Sequence, residues 1–332
     1  MNDTTKELSD FTIILDGKGG GYLPEQEQTD KEKFPNTPNN FWQNLDYKDP
    51  EAYRLLTEDY EIESTVADAL CDEETRPRYF ATEKGIVIIL RDVNLNKNSD
   101  IDDMVSLRFW IDDKKIISLS HRKSKSIRLV FEKLLKKTGP KTAAECFIDI
   151  ADGIVSNIEN VVMEIRDNTD DLEERVINLD TLSDFDLRES LSELRREIIS
   201  IRRYSNPQKD IFLNLQHETS SVFKGNKNKA RLRETYNTLV KIIEDLDYAK
   251  DHLSVFYEEL QSKMSINMNR IMYMISIVTV IFMPLGLITG LLGINVAGIP
   301  YAEQHWAFAA VCGFLFLLVT VLLAIMRKLH WL

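Results

Sequence analysis

The stretch that decides the fold runs from Asn267 to Asn295 and reads NMNRIMYMISIVTVIFMPLGLITGLLGIN. After Arg270, the only ionisable side chain in it belongs to Tyr273. About 24 mainly apolar residues in succession are enough for one helix to cross a bilayer. Polar and small residues nevertheless occur throughout this apolar segment. The mixture predicts a helix that lines a pore, with the preceding chain forming the apparatus that holds it.

The polar and small residues of this helix follow one another at alternating steps of three and four. They are Asn269, Met272, Ser276, Thr279, Met283, Gly286 and Gly290. Positions spaced in this way share one face of a helix. Two interpretations stay open, since the small residues either allow close packing between helices or border a water-filled axis. In a pore, the absence of charge predicts passage of a hydrated or partly hydrated ion, apolar constrictions at Met272 and Met283, and no dehydrated metal site.

The chain before this span continues the same helix. Mainly apolar side chains alternate at steps of four and three residues, which is the heptad pattern of a coiled-coil-like stalk. The predicted seam is Leu232, Tyr236, Leu239, Ile243, Leu246, Lys250, Leu253, Tyr257, Leu260 and Met264. No proline or glycine occurs between Asn226 and Met283. We therefore predict one helix from Lys227 to Gly293, with about 67 residues and a length of ~100 Å at 1.5 Å per residue.

A second apolar run, residues 306–326, is long enough for another crossing. Basic residues lie before the first span and after the second: Lys263, Arg270, Arg327 and Lys328. The loop 295–305 has neither lysine nor arginine, so both termini are expected in the cytoplasm and the loop outside. In that loop, Glu303 and His305 are weak candidates for attracting cations, and a plain loop is the favoured interpretation. Two spans cannot enclose a pore alone, so an oligomer is expected.

The first part of the chain shows the pattern of a soluble α/β domain. Strand-like runs occur at 11–16, 41–45, 78–82, 85–93, 104–111 and 115–120, with helices starting at Pro50 and covering 63–71. From Ser126 the chain is mainly helical, in segments 126–139, 142–178, 184–204 and 208–218, with a break expected at Asn206-Pro207. We predict a cytoplasmic α/β domain at 1–140 and a cytoplasmic helical region with the stalk helix at 141–270. The transmembrane module at 271–332 comprises spans 271–294 and 306–326, the loop 295–305 and a basic tail 327–332.

Three features of the soluble part have alternative interpretations. Asp92, Asn94 and Asn96 have the spacing of a calcium loop, but Lys97 stands where glycine is required, and a hairpin connection is favoured. The glycine-rich run 17–21 lacks the Gly-Lys-Ser/Thr of a phosphate loop and favours a turn. The acidic stretch 164–189 is interpreted as a solvated helix face, with a divalent-cation site between subunits as the alternative.

Composition excludes several classes of function. A net charge of −12 argues against a nucleic-acid partner, because phosphate backbones are bound by basic surfaces. The sequence contains no metalloprotease HExxH, no Walker motif and no Rossmann fingerprint, and we expect no enzymatic activity and no cofactor.

The order of these features resembles the CorA superfamily of divalent-cation transporters over the whole chain. The shared elements are a long stalk helix, FMPL in the first span, a terminal Gly-x-Asn, a short outer loop, a second span and a basic tail. CorA proper has Gly-Met-Asn, whereas this chain has Gly293-Ile294-Asn295 followed by VAGIP, which is similar to the ZntB branch. Three further segments are similar to ZntB-type sequences: LDGKGG (15–20), ETRPR (74–78) and RRYSNPQKD (202–210).

The resemblance implies a funnel-shaped homopentamer in the cell inner membrane, with an α/β/α cytoplasmic domain and a pore made by five first spans. It places Gly293, Ile294 and Asn295 at the outer mouth, where the asparagine ring would bind a hydrated cation. It implies transport of Zn²⁺, and more loosely of Cd²⁺, Ni²⁺ and Co²⁺, with proton coupling proposed for such relatives. The alternatives are a CorA-like Mg²⁺/Co²⁺ channel with a variant motif and, from another class, a membrane-tethered sensor or scaffold.

Overall fold

The computed structural model describes residues 10–24, 40–73, 75–96, 103–177, 185–218, 220–294 and 304–329. The chain divides into two compact units, Met1–Tyr257 and Glu258–Leu332. The domain boundaries proposed above at residues 140 and 270 stay predictions.

The first unit contains a seven-stranded mixed sheet in the order β2-β1-β3-β7-β6-β5-β4. Its strands are β1 (Phe11–Leu15), β2 (Gly21–Tyr22), β3 (Phe41–Leu45), β4 (Arg78–Ala81), β5 (Ile86–Asp92), β6 (Val105–Ile111) and β7 (Lys115–Leu119). β3 and β7 pair in parallel, and the other neighbours pair antiparallel. Every residue of β6 is buried, which is typical of a strand covered on both faces.

Helices cover both faces of the sheet. On one face lie α1 (Pro50–Arg54), the π-helical turn Leu55–Asp59 and α2 (Ser64–Cys71), whose apolar side chains share a core cluster with Trp110. On the other lie α3 (Lys125–Leu135), α4 (Ala143–Ile177) and α5 (Phe185–His217), and Phe147 of α4 meets Phe109 with ring centroids 5.3 Å apart. Neighbouring residues of β6 thus point to opposite layers, and the predicted α/β/α arrangement is confirmed.

The glycine-rich segment after β1 is a tight turn, as the sequence favoured. Asp16 Oδ1 accepts hydrogen bonds from the backbone N–H groups of Lys18 at 2.7 Å and Gly20 at 2.8 Å. Gly17 and Gly19 have positive φ values of 70° and 108°, which glycine adopts without a steric cost. The carboxylate occupies N–H groups that a phosphate-binding loop would offer.

A buried polar network joins β5 to α3 and α4. Asp92 is 1% exposed, and its Oδ2 accepts hydrogen bonds from the hydroxyls of Ser124 (3.3 Å) and Ser126 (3.0 Å). Asn157 Nδ2 donates to Asp92 Oδ1 at 3.2 Å. At Gly153, one turn earlier in α4, a Cβ atom would lie 3.1 Å from Ser126 Cβ, so glycine lets the two helices approach. The calcium-loop alternative is therefore wrong at its first position, because this carboxylate is buried and already bonded. Residues 97–102 of that loop lie outside the described residues.

Burial raises the pKa of Asp92 from 3.8 to about 6, despite the opposing hydrogen bonds from Asn157, Ser126 and Ser124. A carboxyl group whose pKa is higher in the folded protein than in the unfolded chain stabilises the fold at pH values below its unfolded-state pKa. That stabilisation is lost as the pH rises through the folded-state pKa. Between about pH 4 and about pH 7, we expect wild type to lose about 2 kcal/mol of unfolding free energy relative to D92N. Parallel denaturant titrations of the two proteins measure the difference, and a difference that stays flat with pH would contradict the assignment.

The break predicted at Asn206-Pro207 is wrong, because α5 continues through Pro207 to His217. Proline removes one backbone donor from the helix and costs about 3 kcal/mol in a helix interior. Packing offsets this cost here, since Ser205, Gln208 and Phe212 are buried around the proline. Gln208 Oε1 also accepts the backbone N–H of Arg91 on β5 at 2.9 Å, which fixes this turn of α5 against the sheet.

The longest element is α6 (Asn226–Leu292), a continuous helix of 67 residues, followed by α7 (Ala307–Lys328). The prediction of one uninterrupted helix from 227 to 293 is confirmed to within one residue at each end. Pro284 lies inside the helix without ending it. Both helices contain a window long and apolar enough to cross a membrane, and no part of either window is buried within the chain.

The buried seam of α6 agrees with the predicted heptad pattern at only one of its two positions per heptad. The buried positions are Leu232, Thr235, Leu239, Ile242, Leu246, Ala249, Leu253, Phe256 and Leu260, with Ile243 beside them. The prediction is confirmed for every seventh position counted from Leu232. The positions between them are shifted: each buried one lies three residues after its predecessor in the seam, whereas the prediction placed it four residues after. Tyr257 is 42% exposed. Contacts with α4 explain why these positions are shifted by one residue. Thr235 Oγ1 donates to Asp152 Oδ1 at 2.5 Å, and Arg231 Nη2 lies 2.7 Å from Asp149 Oδ1.

Candidate functional site

The stripe predicted to line a pore lies on one open face of α6. Its seven residues are all exposed in the chain: Asn269, Met272, Ser276, Thr279, Met283, Gly286 and Gly290. The partly covered positions of the same span are Ile277, Ile281, Pro284, Leu285 and Ile288. At 100° per residue, the two sets lie roughly 155° apart around the helix. Within the described part of the chain, the stripe is therefore uncovered.

Hydroxyl groups on the stripe donate to their own helix. Ser276 Oγ donates to the carbonyl of Met272 at 2.8 Å, and Thr279 Oγ1 donates to the carbonyl of Ile275 at 2.8 Å. Each hydroxyl proton is satisfied in this way, whereas the oxygen lone pairs remain available as acceptors. The water molecules around a cation direct their hydrogens outward. A row of acceptors without charge therefore suits a cation that keeps its water shell.

The glycines of the span differ in what surrounds them. A Cβ atom at Gly286 or Gly290 would meet no atom within 4 Å, so the chain by itself gives no reason for glycine there. At Gly293 a Cβ atom would lie 3.1 Å from the carbonyl oxygen of Thr289, and the Gly293 N–H donates to that oxygen at 2.9 Å. Gly293 thus has a local role at the helix end, whereas Gly286 and Gly290 fit either helix packing or a pore.

The predicted outer mouth is described only in part. Gly293 and Ile294 follow the end of α6 and are exposed, and His305 is exposed just before α7. Asn295 and Glu303 lie outside the described residues. Across the part of the chain that the structure describes, no group of three or more His, Cys, Asp or Glu side chains could hold a metal ion.

The acidic residues of α4 mostly face outward. Glu164, Asp167, Asp170, Asp171 and Glu174 are exposed, and Glu173 is half-buried. Residues 178–184, which belong to the acidic stretch, lie outside the described residues, and the solvated-face interpretation stays a prediction.

Comparison with known proteins gives a family match over residues 39–328, to the CorA-like Mg²⁺ transporter proteins. The zinc transport protein ZntB of Photorhabdus laumondii is 31% identical over 322 residues, covering 97% of this chain and 95% of the relative. The divalent cation transporter CmaX of Pseudomonas aeruginosa is 32% identical over 324 residues, with coverage of 97% and 96%.

Solved structures show the same likeness. Full-length CmaX has a TM-score of 0.82 at 31% identity, and the match covers 97% of this chain and 98% of the other. The CorA magnesium transporter of Methanocaldococcus jannaschii has a TM-score of 0.78, and the match covers 97% of this chain and 99% of the other. Because the identity is only 19%, this match supports the fold alone.

Proposed function

Because the chain belongs to the family of CorA-like Mg²⁺ transporter proteins, we propose that it carries divalent cations across a membrane, with Zn²⁺ as its main cargo. The observation that carries this proposal is the uncharged, open stripe on a helix that continues directly from the soluble unit. Relatives named as zinc transport proteins, matching at 30–31% identity over nearly the whole chain, favour Zn²⁺ over Mg²⁺. Cd²⁺, Ni²⁺ and Co²⁺ are the further candidates.

The proposed pore is a homopentamer in the cell inner membrane, with one copy of the α6 stripe from each subunit around the axis. Five-fold repetition turns each acceptor position into a ring, and a single chain cannot enclose a channel. The basic residues Lys263 and Arg270 before the first span support cytoplasmic termini, as do Arg327 and Lys328 after the second.

This orientation puts residues 293–295 at the outer mouth of the proposed pore. The ring of Asn295 amides would be the first selective contact for an arriving cation. Glu303 and His305 belong to the same outer loop, where they would attract cations towards the mouth.

The chemistry of the stripe supports transport of a hydrated ion. A dehydrated Zn²⁺ site requires His, Cys or carboxylate ligands, and the stripe has none. The ring of Asn269 amides and the hydroxyls of Ser276 and Thr279 would contact the water shell of the ion, while Met272 and Met283 narrow the path. No stripe residue titrates near neutral pH, so proton coupling would use groups elsewhere, such as His305.

Uptake into proteoliposomes tests the proposal, with Zn²⁺ and Mg²⁺ supplied separately under imposed ion and pH gradients. We expect Zn²⁺ uptake, and we expect N295A to lower its rate about tenfold by removing the amide ring at the mouth. N267A is the matched control, because Asn267 lies on α6 roughly 150° from the stripe at 100° per residue.

Two results would contradict these expectations. Mg²⁺ flux without Zn²⁺ flux would assign the chain to the CorA-like Mg²⁺/Co²⁺ alternative, which the family description favours. Unchanged uptake in N295A would remove Asn295 from the selective contact.

A further inference from the structure

A basic cavity lies between the end of β5 and the start of α3, in a chain whose net charge is −12. Its volume is about 190 Å³. The charged residues in its wall are all cations, namely Arg122, Lys123, Lys125 and Arg128, and His121 lies beside them. Among the residues that the structure describes, no aspartate or glutamate lines it. Such a concentration of one charge sign inside a concave site favours an anionic ligand.

Half of these cations lack a carboxylate partner in the described part of the chain. Arg122 forms an ion pair with Asp103, and Arg128 Nε lies 3.8 Å from Glu132 Oε1. Across the same described residues, Lys123 and Lys125 have no ion-pair partner, and both are exposed. Two positive charges in the wall therefore remain available to a ligand.

The start of α3 adds backbone donors to the same wall. Ser124 caps this helix of 11 residues by accepting the N–H of Ile127 at 3.3 Å, and Ser124 and Lys125 both line the cavity. The first N–H groups of a helix have no intrahelical acceptor and carry partial positive charge. They supplement the side-chain cations in favouring phosphate groups.

A second cavity, of about 160 Å³, adjoins the first and shares His121 and Arg122 with it. Lys48 and Arg91 also line it, together with Asp103. The Nε atom of Arg91 is buried and has no hydrogen-bond partner in the described part of the chain. A buried donor left unpaired is costly. The guanidinium of Arg91 also adds positive charge to the wall of this cavity.

We propose that the two adjoining cavities bind a diphosphate group, either free or at the end of a nucleoside diphosphate. His121 and Arg122 line both cavities, so the two cavities meet at these side chains. Leu95, which lines the first cavity and is 48% exposed, gives apolar surface to an organic part of the ligand. This site is independent of the proposed cation pathway.

Calorimetric titration of the full-length protein in detergent, without metal ions and at constant ionic strength, tests the site. The probes are pyrophosphate, ADP and orthophosphate. We expect pyrophosphate or ADP to bind at least about tenfold more tightly than orthophosphate, because a diphosphate offers more negative charge and more acceptor oxygens to the cations of the two cavities. We expect K123Q/K125Q to weaken that binding about tenfold, and K133Q/K136Q, an equal charge change further along the same helical region, to alter it less than about twofold.

The relative affinities of the three probes identify the ligand class. Tighter binding of ADP than of pyrophosphate would identify a nucleoside diphosphate, and equal binding would identify the diphosphate group alone. Diphosphate binding no tighter than that of orthophosphate would overturn the proposal, as would equal weakening by the two double variants. The titration involves no ion gradient, so its failure and a failure of cation transport are separate results.

Discussion

G286L is expected to lower Zn²⁺ uptake on the order of a hundredfold, because in the proposed pentamer five leucine side chains would project into the pore. The same change should not weaken the folded chain itself. A Cβ atom at Gly286 meets no atom within 4 Å, and leucine favours the helix over glycine by about 1 kcal/mol. Uptake in proteoliposomes and the mass of the assembly in detergent are the two measurements needed.

G313L provides the matched control for this experiment. Gly313 lies in α7, and a Cβ atom there also meets nothing within 4 Å, but this helix is not expected to line the pore. Uptake by G313L should stay within about twofold of wild type. Loss of the assembly in G286L would favour the helix-packing interpretation of the stripe. Normal uptake with an intact assembly would show that Gly286 does not face the pathway.

R108A is expected to lower the free energy of unfolding by about 3–5 kcal/mol, because it removes a large side chain from the core of the first unit. Arg108 is 0% exposed, and its guanidinium carbon lies 3.5 Å from the ring centroid of Tyr47. Its Nη1 donates to the carbonyl of Leu70 at 2.7 Å, and its Nε donates to Ser106 Oγ at 3.3 Å. Truncation would leave a cavity and unpaired acceptors beside β6.

R108M separates shape from charge at the same position. Burial lowers the pKa of Arg108 to about 10, so the group stays charged at neutral pH and its desolvation is unfavourable. A hydrophobic side chain of similar length fills the space without that penalty, and we expect R108M to recover most of the stability lost in R108A. Denaturant unfolding in detergent, followed by the fluorescence of Trp42 and Trp110, measures both variants. Equal losses in the two would show that the charge and its hydrogen bonds, not packing, stabilise this region.

Elements with a strong local signal could be predicted closely from the sequence. The absence of proline and glycine from Asn226 to Met283 determined the extent of α6, and strand patterning gave the mixed sheet. Pro207 was misleading, because packing on the sheet overrides the local preference of proline to end a helix.

The heptad pattern of α6 left a choice that only the neighbouring helices resolve. Steps of three or four residues fit a seven-residue repeat equally well, and the aromatic Tyr236 and Tyr257 favoured the wrong one. The buried alternates include Thr235 and Ala249, whose side chains are small. Hydrophobicity alone does not identify such positions, because Thr235 is held by its hydrogen bond to Asp152.

The stripe of the candidate site was predictable, because helical periodicity alone places its residues on one face. The basic cavity beside α3 was not, because it combines residues of several elements brought together by the sheet. Its one local signal was the run His121-Arg122-Lys123, with Lys125 and Arg128 following, in an acidic chain.

The continuity of α6 has a consequence for how the protein refolds. Starting a helix in water is unfavourable, with a nucleation parameter near 10⁻³, or about 4 kcal/mol. A helix segment inside a bilayer cannot release its backbone hydrogen bonds, because no water is present to replace them. When the first unit unfolds, the bilayer segment of α6 therefore remains as a permanent nucleus. The adjoining turns can regrow from it one residue at a time, without a new initiation event.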